Sequence, residues 1–96
     1  MNKLIFEWDD IKNKTNLKKH GISFEEAQTV FFDDNAIEFD DPDHSFDEER
    51  YLLLGFSQML KILVVCHCYR DNESTIRIIS ARKTTKKEQK VYCRGI

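Results

Sequence analysis

A chain of 96 residues, 41% hydrophobic and 33% charged, suits one compact domain spanning 1–96 and leaves no room for separate binding and catalytic domains. Its longest strongly apolar run, Ile62 to Cys66, falls far short of the roughly 18 residues a membrane span needs, and Met1 to Glu7 lacks a signal-peptide layout. A cytoplasmic protein without a membrane partner is expected, and three cysteines, which cannot all pair within one chain, are expected to be reduced.

The formal net charge of −2 hides a division. Residues 1–57 hold 6 Lys and Arg against 14 Asp and Glu, a net of −8, whereas residues 58–96 hold 9 against 3, a net of +6. Such asymmetry fits a basic surface turned to an anion and an acidic one turned to water or a basic partner. Solubility alone is the plainer explanation.

Along the chain, Leu4 to Trp8 reads as a short strand, and Asp9 or Asp10 then caps a mostly polar helix that carries Ile11 and Leu17 and ends at Gly21. Ser23-Phe24-Glu25-Glu26 matches a capping box for a second helix, with Phe24, Ala27, Val30 and Phe31 on one face. Ala36 to Phe39 resembles a short strand, followed by an acidic loop from Asp40 to Glu49 around the single proline, Pro42. Three strands come next, Arg50 to Phe56, Leu60 to Tyr69 and Thr75 to Arg82, arranged as consecutive hairpins. Thr85-Lys86-Lys87-Glu88 is a further capping box that opens a last basic helix with Val91 and Tyr92. The order β-α-α-β-β-β-β-α, without repeats or linkers, predicts an α+β layer structure on a mostly antiparallel sheet.

The hairpins suggest a cluster. A final turn centred on Asn72 sets His67 opposite Arg77, and a preceding turn centred between Ser57 and Gln58 sets Arg50 opposite Val65 on the same side. Arg82 has the opposite parity but lies where strand gives way to helix. Two guanidinium groups can grip a phosphate and stabilise a pentacoordinate transition state. A histidine can move the proton, as base toward a ribose 2′-hydroxyl or acid toward a leaving 5′-oxygen. That scheme needs no metal or cofactor. Each residue also has a plainer reading: a packed strand histidine for His67, a cross-strand ion pair for Arg50 beside Glu48 and Glu49, and a solvated helix face for Lys86, Lys87 and Lys90.

Other groupings carry less. Cys66-His67-Cys68 alternates along a strand and cannot converge on one zinc. Asp40-Asp41-Pro42-Asp43-His44 with Asp47-Glu48-Glu49 offers oxygen ligands for magnesium or manganese, as a metal-dependent nuclease would need, but a solvated docking loop explains it as well.

Phe6-Glu7-Trp8-Asp9, Asn16 through Ala27 with Lys19-His20-Gly21, Val30-Phe31, Glu49-Arg50 and Arg77 through Lys83, with Glu88 and Tyr92, resemble the BrnT toxin family over nearly the whole chain. The resemblance implies a RelE-like fold and a ribonuclease that inhibits translation. It also implies a BrnA-type antitoxin that represses transcription, so that toxin and antitoxin form a multimeric complex that meets DNA through the antitoxin. Carried over by position, Lys19, His20, Arg50, Arg77, Arg82 and Tyr92 are the matching polar residues, and Lys83 adjoins them. Lys19 and His20 serve equally well as cations at a helix C-terminus, and Tyr92 either stacks on a base or packs the helix. His67 has no place in the family pattern, which leaves a lysine or Glu49 as the alternative base. A non-catalytic partner of a repressor complex is the competing function outside enzymology.

Overall fold

The computed structural model describes residues 4–41 and 49–94. Strands β1 (Ile5–Glu7), β2 (Ile37–Asp40), β3 (Tyr51–Phe56), β4 (Ile62–Arg70) and β5 (Thr75–Lys83) form one sheet in the order β1-β5-β4-β3-β2. Helices α1 (Asp10–His20), α2 (Phe24–Gln28) and α3 (Lys86–Arg94) complete the α+β fold in the expected chain order. β1 joins β5 in parallel, and the other pairings are antiparallel.

The apolar run in β4 reflects its central position, covered on both faces. On one face Leu63, Val65, Leu53, Ile78 and Ala81 pack with Ile22, Phe24, Ala27 and Val30 from the α1–α2 layer. On the other, Leu54 and Val64 pack with Tyr92 of α3. Gly55 admits the helical layer closely, since a Cβ there would sit 2.9 Å from both Ala36 Cβ and Val30 Cγ1.

Local chemistry explains the helix ends. Asp9 Oδ1 accepts from the Ile11 and Lys12 amides at 2.8 and 3.2 Å, and Gly21 ends α1 in the left-handed region at φ 72°. α1 has few apolar positions because it guards an edge. β1 spans only three residues, so the far part of β5 lacks a strand on its outer side, and Asn16 takes that role. Its Oδ1 accepts from the Ala81 amide at 3.1 Å, while its Nδ2 donates to the carbonyls of Ala81 and Ile22 at 2.8 Å each.

The second predicted helix is shorter than its apolar spacing suggests. It stops at Gln28 and tightens into a 3-10 turn over Thr29–Phe32, where the Thr29 hydroxyl donates to the Glu26 carbonyl at 2.6 Å. Only half of its capping box forms. Ser23 Oγ accepts from the Glu26 amide, but the Glu26 carboxylate turns inward to Ser57 Oγ at 2.8 Å and Lys61 Nζ at 3.6 Å.

Both hairpin registers differ from expectation. The β4–β5 turn spans four residues, with Asp71, Asn72 and Glu73 all at positive φ, and it aligns Cys68 with Arg77 and His67 with Ile78. The β3–β4 turn runs from Ser57 to Lys61, with Leu60 at φ 62°, and aligns Tyr51 with His67. Arg50 therefore follows on the side of Cys68 instead of facing Val65. Each slip is by an odd number, so each flips a face: Arg50 and Arg77 stay together, and His67 leaves them.

Candidate active site

Side chains on one face of the sheet follow from the pairing. Arg77 lies opposite Cys68, and Ser80 lies opposite Cys66. Between them Ile79 has no partner, because the register shifts at Cys66/His67. That bulge adds one residue and reverses the parity of all that follows. Arg82, opposite Val64, thereby shares a face with Arg77, which strict alternation denies it. Arg50 belongs to the same face, where its charge acts on Cys66, and its carbonyl continues the ladder by accepting from the Asp41 amide at 2.9 Å.

The two arginines of β5 are half-buried and held by carboxylates. Arg77 Nη1 lies 3.0 Å from Glu7 Oε2, with its side chain 31% exposed, and Arg70 Nε approaches the same oxygen at 3.7 Å. Arg82 makes a two-pronged contact with Glu88, at 2.9 Å for each nitrogen–oxygen pair, and remains 41% exposed. The Arg82 hydrogen bonds hold the Glu88 carboxyl down to about 2 despite partial burial, and Glu88 raises Arg82 in return. Glu88 also closes the capping box of α3, accepting from the Thr85 amide at 2.8 Å while Thr85 Oγ1 accepts from the Glu88 amide. One residue thus fixes both the helix start and the guanidinium. Neither arginine is locked beneath the helices.

His67 occupies a different setting, on the opposite face and fully buried. A carbonyl can only accept, so Nδ1 donates to Val65 O at 3.0 Å, and Nε2 lies 2.9 Å from Glu38 Oε2. That oxygen also accepts from the Tyr69 hydroxyl, and Phe31 meets the imidazole edge-on at 4.8 Å. The expected cluster of Arg50, His67 and Arg77 is therefore corrected: Arg50, Arg77 and Arg82 share one face with Arg70, and the histidine serves the core behind them.

The other sequence candidates scatter. Lys19 and His20 lie in the last turn of α1 beside its left-handed cap, Lys19 exposed and His20 partly so. Lys83 pairs with Leu63 and so points to the face opposite Arg82. Tyr92 is buried, packs near Phe56, and donates to Asp33 Oδ2 at 2.6 Å, so it anchors α3 and presents no ring to a ligand. Burial and Asp33 push its phenol up to about 12. Glu49 accepts from the Tyr51 hydroxyl. Asp41 is buried and takes the Cys66 thiol at 3.6 Å. Burial and Asp41 raise that thiol to about 11 against the pull of Arg50. The three cysteines are free. Asp43, His44, Asp47 and Glu48 lie outside the described residues; among those described, no three His, Cys, Asp or Glu gather as metal ligands.

The described residues line several hollows, one of them touching Lys83. One of about 520 Å³, lined by Gln28, Thr29, Phe32, Asp33, Phe56 and Leu60, contains no sequence candidate. Another of about 230 Å³, lined by Phe39, Leu52, Leu54, Val64, Glu88 and Val91, touches the carboxylate that holds Arg82. Sequence reading missed Glu7 and the Phe39 wall; Glu88 was visible as a cap, without its second duty.

The family model for the ribonuclease toxin BrnT of type II toxin-antitoxin systems matches residues 8–88. The chain belongs to the BrnT family. A ribonuclease toxin with an RNA target and an antitoxin partner follows from that membership. The crystal structure of the Brucella abortus ribonuclease toxin BrnT superposes with a TM-score of 0.66, at 24% identity, over 88% of this chain and 100% of that one. At that identity the likeness shows the BrnT fold. No curated protein matches the sequence. No helix among the described residues is long and apolar enough to cross a membrane.

Proposed function

We propose that the chain is a cytoplasmic endoribonuclease toxin, folded as one domain, that cleaves RNA without a metal and so inhibits translation. Arg77 and Arg82, with Arg50 beside them, hold the scissile phosphate. Their guanidinium groups meet the charge that builds on its oxygens as the 2′-oxygen attacks phosphorus and the bond to the 5′-oxygen breaks. With His67 sealed in the core, the proton of the 2′-hydroxyl passes to Glu7, whose carboxylate lies beside Arg77 and is partly exposed. The leaving 5′-oxygen takes a proton from solvent. The products are a 2′,3′-cyclic phosphate and a 5′-hydroxyl. A BrnA-type antitoxin neutralises the chain in a multimeric complex that touches DNA only through the antitoxin.

The observation that carries this reading is the bulge at Ile79, which sets Arg77 and Arg82 on one face with partial exposure. End-group analysis of RNA incubated with purified protein in EDTA tests it. Cyclic phosphate ends in the presence of chelator support it. Loss of cutting in EDTA, or unchanged cutting by both Arg77→Ala and Arg82→Ala, overturns it.

A further inference from the structure

The hollow beside Glu88 has a composition that catalysis at the arginines does not use. Its walls are Leu52 and Leu54 from β3, Val64 from β4 and Val91 from α3, and its outer side is the Phe39 ring on the edge strand β2. Pairing of Phe39 with Leu52 turns the ring to the arginine face. Phe39 is 42% exposed and Val91 43% exposed, so these apolar groups meet water when nothing is bound. Placing an aromatic ring on an edge strand in that way costs solubility and invites association.

We infer that this hollow is a nucleobase subsite, in which one base of single-stranded RNA lies against Phe39 while the adjoining phosphate is held at Arg82. The inference rests on the ribonuclease reading above and adds to it the place where the substrate's base sits. Three observations point to a base. Glu88 lines the hollow and grips Arg82 at 2.9 Å, so a phosphate at Arg82 delivers its own nucleoside to the hollow. An apolar cleft with an aromatic wall suits the π-face common to all bases and binds them with little sequence preference. The α3 side of the hollow carries exposed Lys87 and Lys90 beside Glu88 and Val91 in the chain, whereas Glu38 and Asp40 flank Phe39 on β2, so it is the helix wall that favours a polyanion.

The test measures binding without cleavage. A fluorescein-labelled single-stranded 12-mer with 2′-O-methyl riboses, and the same backbone with every position abasic, are titrated by anisotropy. The full-length protein is compared with Phe39→Ala, Phe39→Tyr and Leu60→Ala, the last a distant exposed apolar control. Removing the ring is expected to weaken the intact strand about tenfold, Phe39→Tyr to restore it, and Leu60→Ala to leave it unchanged. The abasic strand should bind the unmodified protein about tenfold less well, and Phe39→Ala should weaken it no further. Equal affinity of Phe39→Ala and the unmodified protein for the intact strand overturns the subsite. So does an equal loss on the abasic strand, or a ring needed only for self-association or antitoxin capture. Exposed Phe39 permits a folded variant, which thermal unfolding checks. Because binding is read without cutting, the subsite can fail while the arginines still catalyse, and the catalytic reading can fail while the subsite stands.

Discussion

Arg77 and Ile78 are neighbours on β5, yet they live in different chemistry. Ile78 joins Phe24, Val30 and Val65 in a dry layer, where even the polar His67 has each ring nitrogen within hydrogen-bond distance of a protein oxygen. Arg77 faces outward with Arg82 and Arg50, and the carboxylates Glu7 and Glu88 hold Arg77 and Arg82 in fixed orientations. The comparison separates two uses of polar groups in a sheet. A buried group whose hydrogen bonds are all made inside the protein stabilises one arrangement and has nothing left for a substrate. A half-exposed guanidinium on a carboxylate is pre-oriented and keeps further donors for a phosphate.

The sharpest way to break the contrast is to remove one polar side chain from each face. Arg77→Ala and Arg82→Ala should each lower the cleavage rate by about 10²-fold or more, whereas His67→Leu should cut RNA near the wild-type rate and lose thermal stability instead. A His67→Leu protein that stays folded and inactive would put chemistry on the wrong face. Next in size is the edge contact that supports β5. Asn16→Ala removes three buried hydrogen bonds to the backbone and should cost about 2–3 kcal/mol, lowering Tm by on the order of 10 °C. An unchanged Tm would mean that the β5 edge needs no such cover.

The smallest effect concerns the pair that orients Arg82. Glu88 is held at about 2 in the folded chain against an ordinary 4.5, so its contribution is complete above pH 4.5 and disappears as pH falls toward 2. Both partners meet solvent, which screens the pair, and Glu88→Gln should therefore cost only about 1 kcal/mol at pH 7. The Tm difference between wild type and Glu88→Gln should shrink steadily below pH 4.5. A difference that holds constant to pH 2.5 would mean that the charge on Glu88 adds nothing beyond its cap.

Most of the frame was legible along the chain. Asp9, Ser23, Thr85 and Gly21 mark helix ends through short-range hydrogen bonds that need only a few neighbouring residues. Alternation located the strands. Arg77 and Arg82 were also visible as candidates by residue type, and the asymmetry of charge pointed to the basic half that carries them.

Which face each side chain takes was decided in three dimensions. Parity along a strand is lost at any single inserted residue, and three such choices occur here: a four-residue turn at Asp71, a longer one at Ser57 to Lys61, and a bulge at Ile79. Their energies depend on how the helical layer packs on the sheet, with Gly55 drawn under Val30 and Asn16 bound to the β5 edge. Residue identity thus determined what chemistry the chain has available. Tertiary packing decided that the arginines share a surface and that the histidine does not, because register is set by contacts between segments far apart in sequence.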